Sequence, residues 1–273
     1  MALYDAMTYP PTAPELDLAS VSAAIESPLK LVRGRVVFEG RELLIEEHEK
    51  REALFPRKIR RARQVAKFLA GLSGVRFVAL CNTTALAHAR DEGDLDFFVI
   101  TKSGTITQSR GLATLRYAAS RPGTHASDRD SVCLSYFVDD SALDLSSHML
   151  AGDDPYFRFW FLSLLPLFDD GISKDFWNAN TQIRASHPNA KPWIMSEDLR
   201  VTRPCWRIPA FAFLEPLAIK LQEHRMSQVL KSMRNRDTRV IVSPQVLKFH
   251  ADDGREQFRS QAQETARKYG VTS

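Results

Sequence analysis

Cysteine is scarce in this sequence. The three present, Cys81, Cys133 and Cys205, are an odd number without a Cys-x-x-Cys or zinc-type spacing. Neither a disulfide framework nor a cysteine zinc site is built from such a set, and reduced thiols in a cytoplasm are expected. The histidines, among them His88, His148, His187, His224 and His250, lack the spacing of a metal-ligating group, which argues against a histidine metal site. Long apolar runs are missing too. The most apolar stretch, 157–168, is broken by Arg158 and Pro166 and falls far short of the ~20 residues that a bilayer span needs. The opening Met-Ala-Leu-Tyr-Asp soon reaches Pro10-Pro11, with neither the basic region nor the apolar core of a secretory signal. No membrane partner and a cytoplasmic location are the expectations.

What is present is ordinary globular composition. With 273 residues, 44% of them apolar and 26% charged, the chain can bury a sizeable core and has room for one core domain with smaller modules attached. The net charge of +4 is spread thinly, so local clusters carry more meaning than the total. Arg57, Lys58, Arg60, Arg61, Arg63 and Lys67 share one helical segment without interleaved aromatics, which predicts a solvated face more readily than a nucleic-acid track.

Three regions follow from the pattern along the chain. Residues 1–45 read as a reduced winged-helix-like module. Thr12 to Glu15 has the form of a capping box, a second short helix covers 18–25, and 31–38 alternates like a small ribbon turning at Gly34. Residues 46–150 read as a mixed α/β core. A helical stretch over 42–72 is interrupted at Pro56, and Ile59, Ala62, Val65, Ala66 and Leu69 recur at helical spacing. Strands are predicted over 75–81, 95–101 and 132–138. A short helix runs from the first of them to Arg90, and Thr105 to Gln108 caps a longer one ending near Ser120. Residues 151–273 read as a helical region, with helices over 155–164, 173–183, 209–230, 244–250 and 255–269. The fold class expected is thus α/β of the α+β kind, a small mixed sheet with flanking helices.

One constellation carries chemistry. Asp94 and Asp96 are alternate residues at the start of a strand, so their carboxylates project from one face and repel one another. A bound divalent cation is the usual compensation. Upstream, Leu80-Cys81-Asn82-Thr83 ends the preceding strand in a polar turn that feeds a helix, a place where backbone amides meet phosphate oxygens.

In these residues the sequence resembles the polymerase-beta-like nucleotidyltransferase superfamily, whose pattern is an apolar strand ending Gly-Ser, about ten residues, then Asp-hydrophobic-Asp. The matching text is Ala79 to Thr83, ten residues over 84–93, then Asp94-Leu95-Asp96. Asn82 stands for the Gly and Thr83 for the Ser. Asn tolerates a left-handed backbone and Thr keeps a hydroxyl, so the turn can persist. The resemblance extends, on less specific segments such as 38–42, 99–104, 133–137 and 214–222, to bacterial and archaeal proteins known only as nucleotidyltransferase-domain proteins.

The resemblance implies transfer of a nucleoside monophosphate from a nucleoside triphosphate to an acceptor hydroxyl on RNA, protein or a small molecule. It implies Mg²⁺ or Mn²⁺ held by Asp94 and Asp96, and β and γ phosphates bound by Asn82 and Thr83. Lys102 after the second strand, or Lys220 on a helix that closes over the nucleotide with Gln222, would offset their charge. Catalytic members place a third carboxylate on a later strand, where Ser135 stands here, expected to share a face with Cys133 and Phe137. Asp130, Asp139 and Asp140 at the ends of that strand are alternative holders of the role. Two rival readings stay open: a catalytically reduced nucleotide-binding or regulatory protein, and a nucleic-acid-binding module working through the N-terminal wing and the basic helix.

Overall fold

The computed structural model describes residues 28–118 and 129–268. The capping box and short helix expected within the first 27 residues lie outside the described residues. A hairpin comes first, β1 (Leu29–Val32) and β2 (Arg35–Phe38), paired antiparallel. Its two-residue turn places Arg33 at φ 52° and Gly34 at φ 74°, the mirror-image geometry that matches the twist of the flanking strands. Arg33 and Arg35 tie the hairpin to Glu49 and Glu52 of α1 (Leu43–Glu52), at 3.0 and 2.6 Å. Pro56 opens α2 (Phe55–Gly71), where its missing N–H costs nothing.

The body is a six-stranded mixed sheet in the order β6-β3-β4-β5-β8-β7. Its strands are β3 (Val75–Leu80), β4 (Leu95–Thr101), β5 (Val132–Asp139), β6 (Leu165–Asp169), β7 (Val240–Val242) and β8 (Val246–Phe249). Only β4 and β5 run parallel; the other neighbours are antiparallel. Along β3 the side chains alternate between two cores. Val78 and Leu80 face Ala62, Val65 and Leu69 of α2, whereas Phe77, Ala79 and Cys81 face the aromatic layer on the other side.

That aromatic layer is built from α5 (Pro155–Leu162), α6 (Ser173–Ala179) and α7 (Thr181–Arg184), with Phe157, Trp160, Phe161, Phe176 and Trp177 buried on it. The α2 layer also holds α4 (Ile106–Ala118), onto which α8 (Glu215–Arg225) packs. α9 (Gln228–Met233) follows, and α10 (Arg255–Lys268) lies against α5.

Several elements depart from expectation. The segment 244–250, read as a helix, is strand β8, and 165–169, given no element between the helices read over 155–164 and 173–183, is strand β6. Short apolar runs fit either period, and here the edges of the core sheet recruit them. Strands from the 151–273 region therefore complete the sheet of the 46–150 region. The expected helix to Arg90 is α3 (Asn82–Ala85) alone, followed by a loop with Ala87 at φ 53°. The 209–230 helix is likewise shorter, and the capping box before α4 is replaced. Glu215 reaches across to the backbone N–H groups of Thr107 (2.5 Å) and Gln108 (3.2 Å), so a residue 108 positions away caps the helix.

Candidate active site

Asp94 and Asp96 meet the turn after β3 at one end of the sheet. Leu95 between them is fully buried against α2, so both carboxylates point the other way. Asp94 is exposed and accepts a hydrogen bond from Ser131 Oγ. Asp96 is half-buried. Burial raises its pKa above the ordinary carboxylate range, and the charge of Asp94 adds to the rise. Hydrogen bonds from Asn82 and Cys133 oppose it.

Asn82 adopts the left-handed backbone, φ 58°, at the position where the resemblance has glycine. Its side chain bridges two elements: it bonds to the Asp96 carboxylate, and its Oδ1 accepts from Tyr156 Oη of α5 at 3.3 Å. Thr84 fixes the same turn from below, donating from Oγ1 to the Asp94 carbonyl at 3.2 Å. Thr83 is exposed on the turn.

A cavity of about 520 Å³ opens beside this pair. Asn82 and Asp96 form one wall. Tyr136, Tyr156, Phe157 and Trp160 form an aromatic wall, Lys248 and His250 come from β8 and its end, and residues 252–255 with Gln257, Phe258 and Gln261 close it through α10. Arg255 anchors that closing helix. It is 5% exposed and bonds to Asp154 (2.9 Å), Asp253 (2.8 Å), the His148 carbonyl (2.9 Å) and Thr238 (2.8 Å). Lys248 is 1% exposed, donates to the Thr238 carbonyl at 2.7 Å, and lies 5.5 Å from the Tyr136 ring centre. Burial, with Arg255 beside it, lowers its pKa to about 7.

The other sequence-derived candidates lie elsewhere. Lys102 follows the far end of β4, six residues from Asp96 and so about 20 Å along the strand. Lys220 is exposed on α8, across the sheet from the cavity, and its neighbour Gln222 accepts from Arg110 at 3.2 Å instead of closing over a ligand. Neither lysine reaches the Asp94–Asp96 end; Lys248 is the lysine that lines the cavity.

The third-carboxylate alternatives resolve in the same way. Asp139 and Asp140 end β5 at the far edge. Asp139 caps Ser141 at 2.9 Å, and Asp140 pairs with Arg76 at 3.1 Å. Asp130 is nearer but is bound to the buried Lys58 Nζ at 2.7 Å. Lys58 therefore belongs to the interior, not to the solvated face of α2 on which the sequence places it. Phe137 does not share a face with Cys133 either. A bulge in β5, between the pairs Asp96↔Cys133 and Phe98↔Tyr136, sends Phe137 into the α2 layer and Tyr136 to the aromatic side.

Ser135 sits at this bulge and hydrogen-bonds His250 Nε2 at 2.8 Å. Among the described residues no group of three or more His, Cys, Asp or Glu side chains is arranged to hold a metal ion. The donor set at this end is the Asp94 and Asp96 carboxylates. It suits Mg²⁺, which commonly takes one or two protein carboxylates and completes its shell with phosphate oxygens and water.

Tyr156, Lys248, His250 and Arg255 were not legible as site residues. They lie in stretches with no motif; α5 carries Tyr156 to the cavity, the β5–β8 pairing brings Lys248 and His250, and the docking of α10 brings Arg255. No protein-family model matches the chain, and comparisons with curated proteins and with solved structures also find no match. Among the described residues no helix is long and apolar enough to cross a membrane.

Proposed function

We propose that the chain is a metal-dependent nucleotidyltransferase that moves a nucleoside monophosphate from a nucleoside triphosphate to an acceptor hydroxyl, releasing pyrophosphate. The observation that carries this reading is Asn82. It takes the left-handed turn in place of the motif glycine, and its side chain bonds to Asp96 at the wall of a cavity large enough for a nucleotide. The pKa of Asp96, raised chiefly by burial with the charge of Asp94 adding to it, marks a carboxylate whose ionised form a bound cation would favour.

Asp94 and Asp96 would hold Mg²⁺ or Mn²⁺, which when bound neutralises phosphate charge and polarises the phosphorus under attack. The chain's own groups do the rest. The turn at Asn82 and Thr83 receives the β and γ phosphates, and Tyr156 keeps the Asn82 amide in place. Lys248 supplies a cation whose protonated form an anionic ligand favours. The aromatic wall and α10 bound the cavity beside the reacting end.

A second reading, a nucleotide-binding protein with reduced turnover, is favoured by Ser135 at the third-carboxylate position and by the engagement of Asp130, Asp139 and Asp140 elsewhere. Equilibrium dialysis with each nucleoside triphosphate in Mg²⁺ separates these readings from no nucleotide role at all. Retention that requires Mg²⁺ and Asp96 supports both readings, and none at millimolar nucleotide rejects both.

A further inference from the structure

A serine–histidine pair stands beside the proposed nucleotide site. Ser135 Oγ and His250 Nε2 share a hydrogen bond of 2.8 Å, between residues 115 positions apart. The β5 bulge creates it, by opening the register between Cys133 and Tyr136 just where Ser135 sits. The Cys133 side chain bonds both to Asp96 and to Ser135, so the serine is one side chain removed from the carboxylate that would face the triphosphate. His250 lines the cavity itself. The Tyr136 ring packs against its imidazole at 5.9 Å, nearly edge to face.

A carboxylate at the position of Ser135 would be a metal ligand. A hydroxyl bonded to a neutral imidazole is a different tool, because the imidazole can take the hydroxyl proton as the oxygen attacks. The surroundings keep His250 neutral. Burial, with Lys248 next to it, lowers its pKa to about 4. With the ring proton on Nδ1, Ser135 Oγ–H donates to Nε2, and the negative charge of a bound triphosphate raises the basicity of the ring toward what a general base needs.

We infer that Ser135 is the acceptor hydroxyl of this site, so that the chain transfers a nucleoside monophosphate from a nucleoside triphosphate onto its own Ser135. The inference rests on the nucleotidyltransfer reading above. In the step, Ser135 Oγ forms a bond to the α-phosphorus. The bond from that phosphorus to the oxygen bridging to the β-phosphate breaks, its electron pair leaving with pyrophosphate. The Oγ proton passes to His250 Nε2. The product is a phosphodiester between Ser135 and the nucleoside, and no oxidant or further co-reactant is needed.

The test incubates the full chain with ATP, GTP, CTP or UTP and Mg²⁺, followed by proteolysis and mass spectrometry. The expected result is a mass gain of one nucleotidyl group, a nucleoside monophosphate less water, on the peptide that holds Ser135. It should be absent from Ser135→Ala and formed about a hundredfold or more slowly by His250→Gln. Ser135→Thr retains a hydroxyl and should recover part of the labelling, which a merely structural tie between β5 and β8 would not give. Should Ser135→Ala melt too low to use, His250→Gln and Ser135→Thr carry the comparison. Nucleotide binding or pyrophosphate release without an adduct on Ser135, or an adduct that survives in Ser135→Ala, overturns the assignment and leaves the nucleotidyltransfer reading standing. A wild-type chain that binds no nucleotide, with Asp96→Asn behaving identically, removes that reading and the acceptor with it.

Discussion

The ammonium of Lys58, 1% exposed, is held 2.7 Å from Asp130 Oδ1 and 2.7 Å from the Gly93 carbonyl, one residue before Asp94. A structural ion pair thus pins the loop that presents the carboxylates proposed to bind the metal. Because Asp130 is consumed in this pair, it is not free to act as a third ligand. Asp130→Asn keeps the shape and tolerates the φ of 57° at this position, so it isolates the charge. We expect it to lower unfolding stability by about 3 kcal/mol, the order of magnitude for stripping one partner from a buried cation. Denaturant midpoints would measure it. A stable variant that loses only turnover would place Asp130 in the catalytic set.

Asp96→Asn should have the opposite balance. The carboxylate is half-buried, destabilised by burial and by Asp94, and bonded to groups that an amide can also satisfy. In metal-free buffer at neutral pH the melting temperature is expected to stay level or rise, while Mg²⁺-dependent nucleotide binding is lost. A marked fall in apo stability would show that Asp96 is a structural partner.

Two substitutions at Asn82 separate backbone from side chain. Asn82→Gly fits φ 58° and removes the bonds to Asp96 and Tyr156, whereas Asn82→Ala removes the bonds and adds left-handed strain of about 1 kcal/mol. Both variants should weaken nucleotide binding alike, and only the alanine should lower the melting temperature appreciably. Equal and full nucleotide affinity in both would remove Asn82 from the site.

Much of this end of the molecule was readable in advance. The apolar runs that form β3, β4 and β5 are bounded by turn residues, and the Asp-Leu-Asp alternation fixes a face without any knowledge of packing. Left-handed tolerance at Asn82 followed from its side chain alone. What escaped depends on partners far apart in the chain. Val246 to Phe249 has no period to mark it as a strand; pairing with β5 makes it one, and that pairing delivers Lys248 and His250 to the cavity. Lys58 resembled its solvated neighbours until the Asp130 and Gly93 oxygens were in place around it.

His148 and His250 give the stability an acid limb. His148, bonded to Tyr136 Oη at 2.6 Å, and His250 each titrate near 4 in the folded chain, chiefly because burial disfavours the imidazolium. Their ordinary value is 6.5, so the unfolded chain takes up protons first as pH falls. The stability they contribute is intact above about 6.5 and drains away between there and about 4, at up to ~1.4 kcal/mol per pH unit for each group. Lys248 and Arg255 face both rings and sharpen the loss. His250→Gln should flatten the slope of unfolding free energy against pH by one group's share, and an unchanged slope would mean that His250 titrates normally.

Pyrophosphate release by the wild-type chain, compared with Asp94→Asn and Asp96→Asn in Mg²⁺ and in excess chelator, tests the central claim most directly. Nucleotidyl transfer predicts release with at least one nucleoside triphosphate that stops on chelation and in each variant, while all three proteins keep their fold. Release that persists in both variants, or nucleotide binding that ignores Mg²⁺ and both carboxylates, would contradict it.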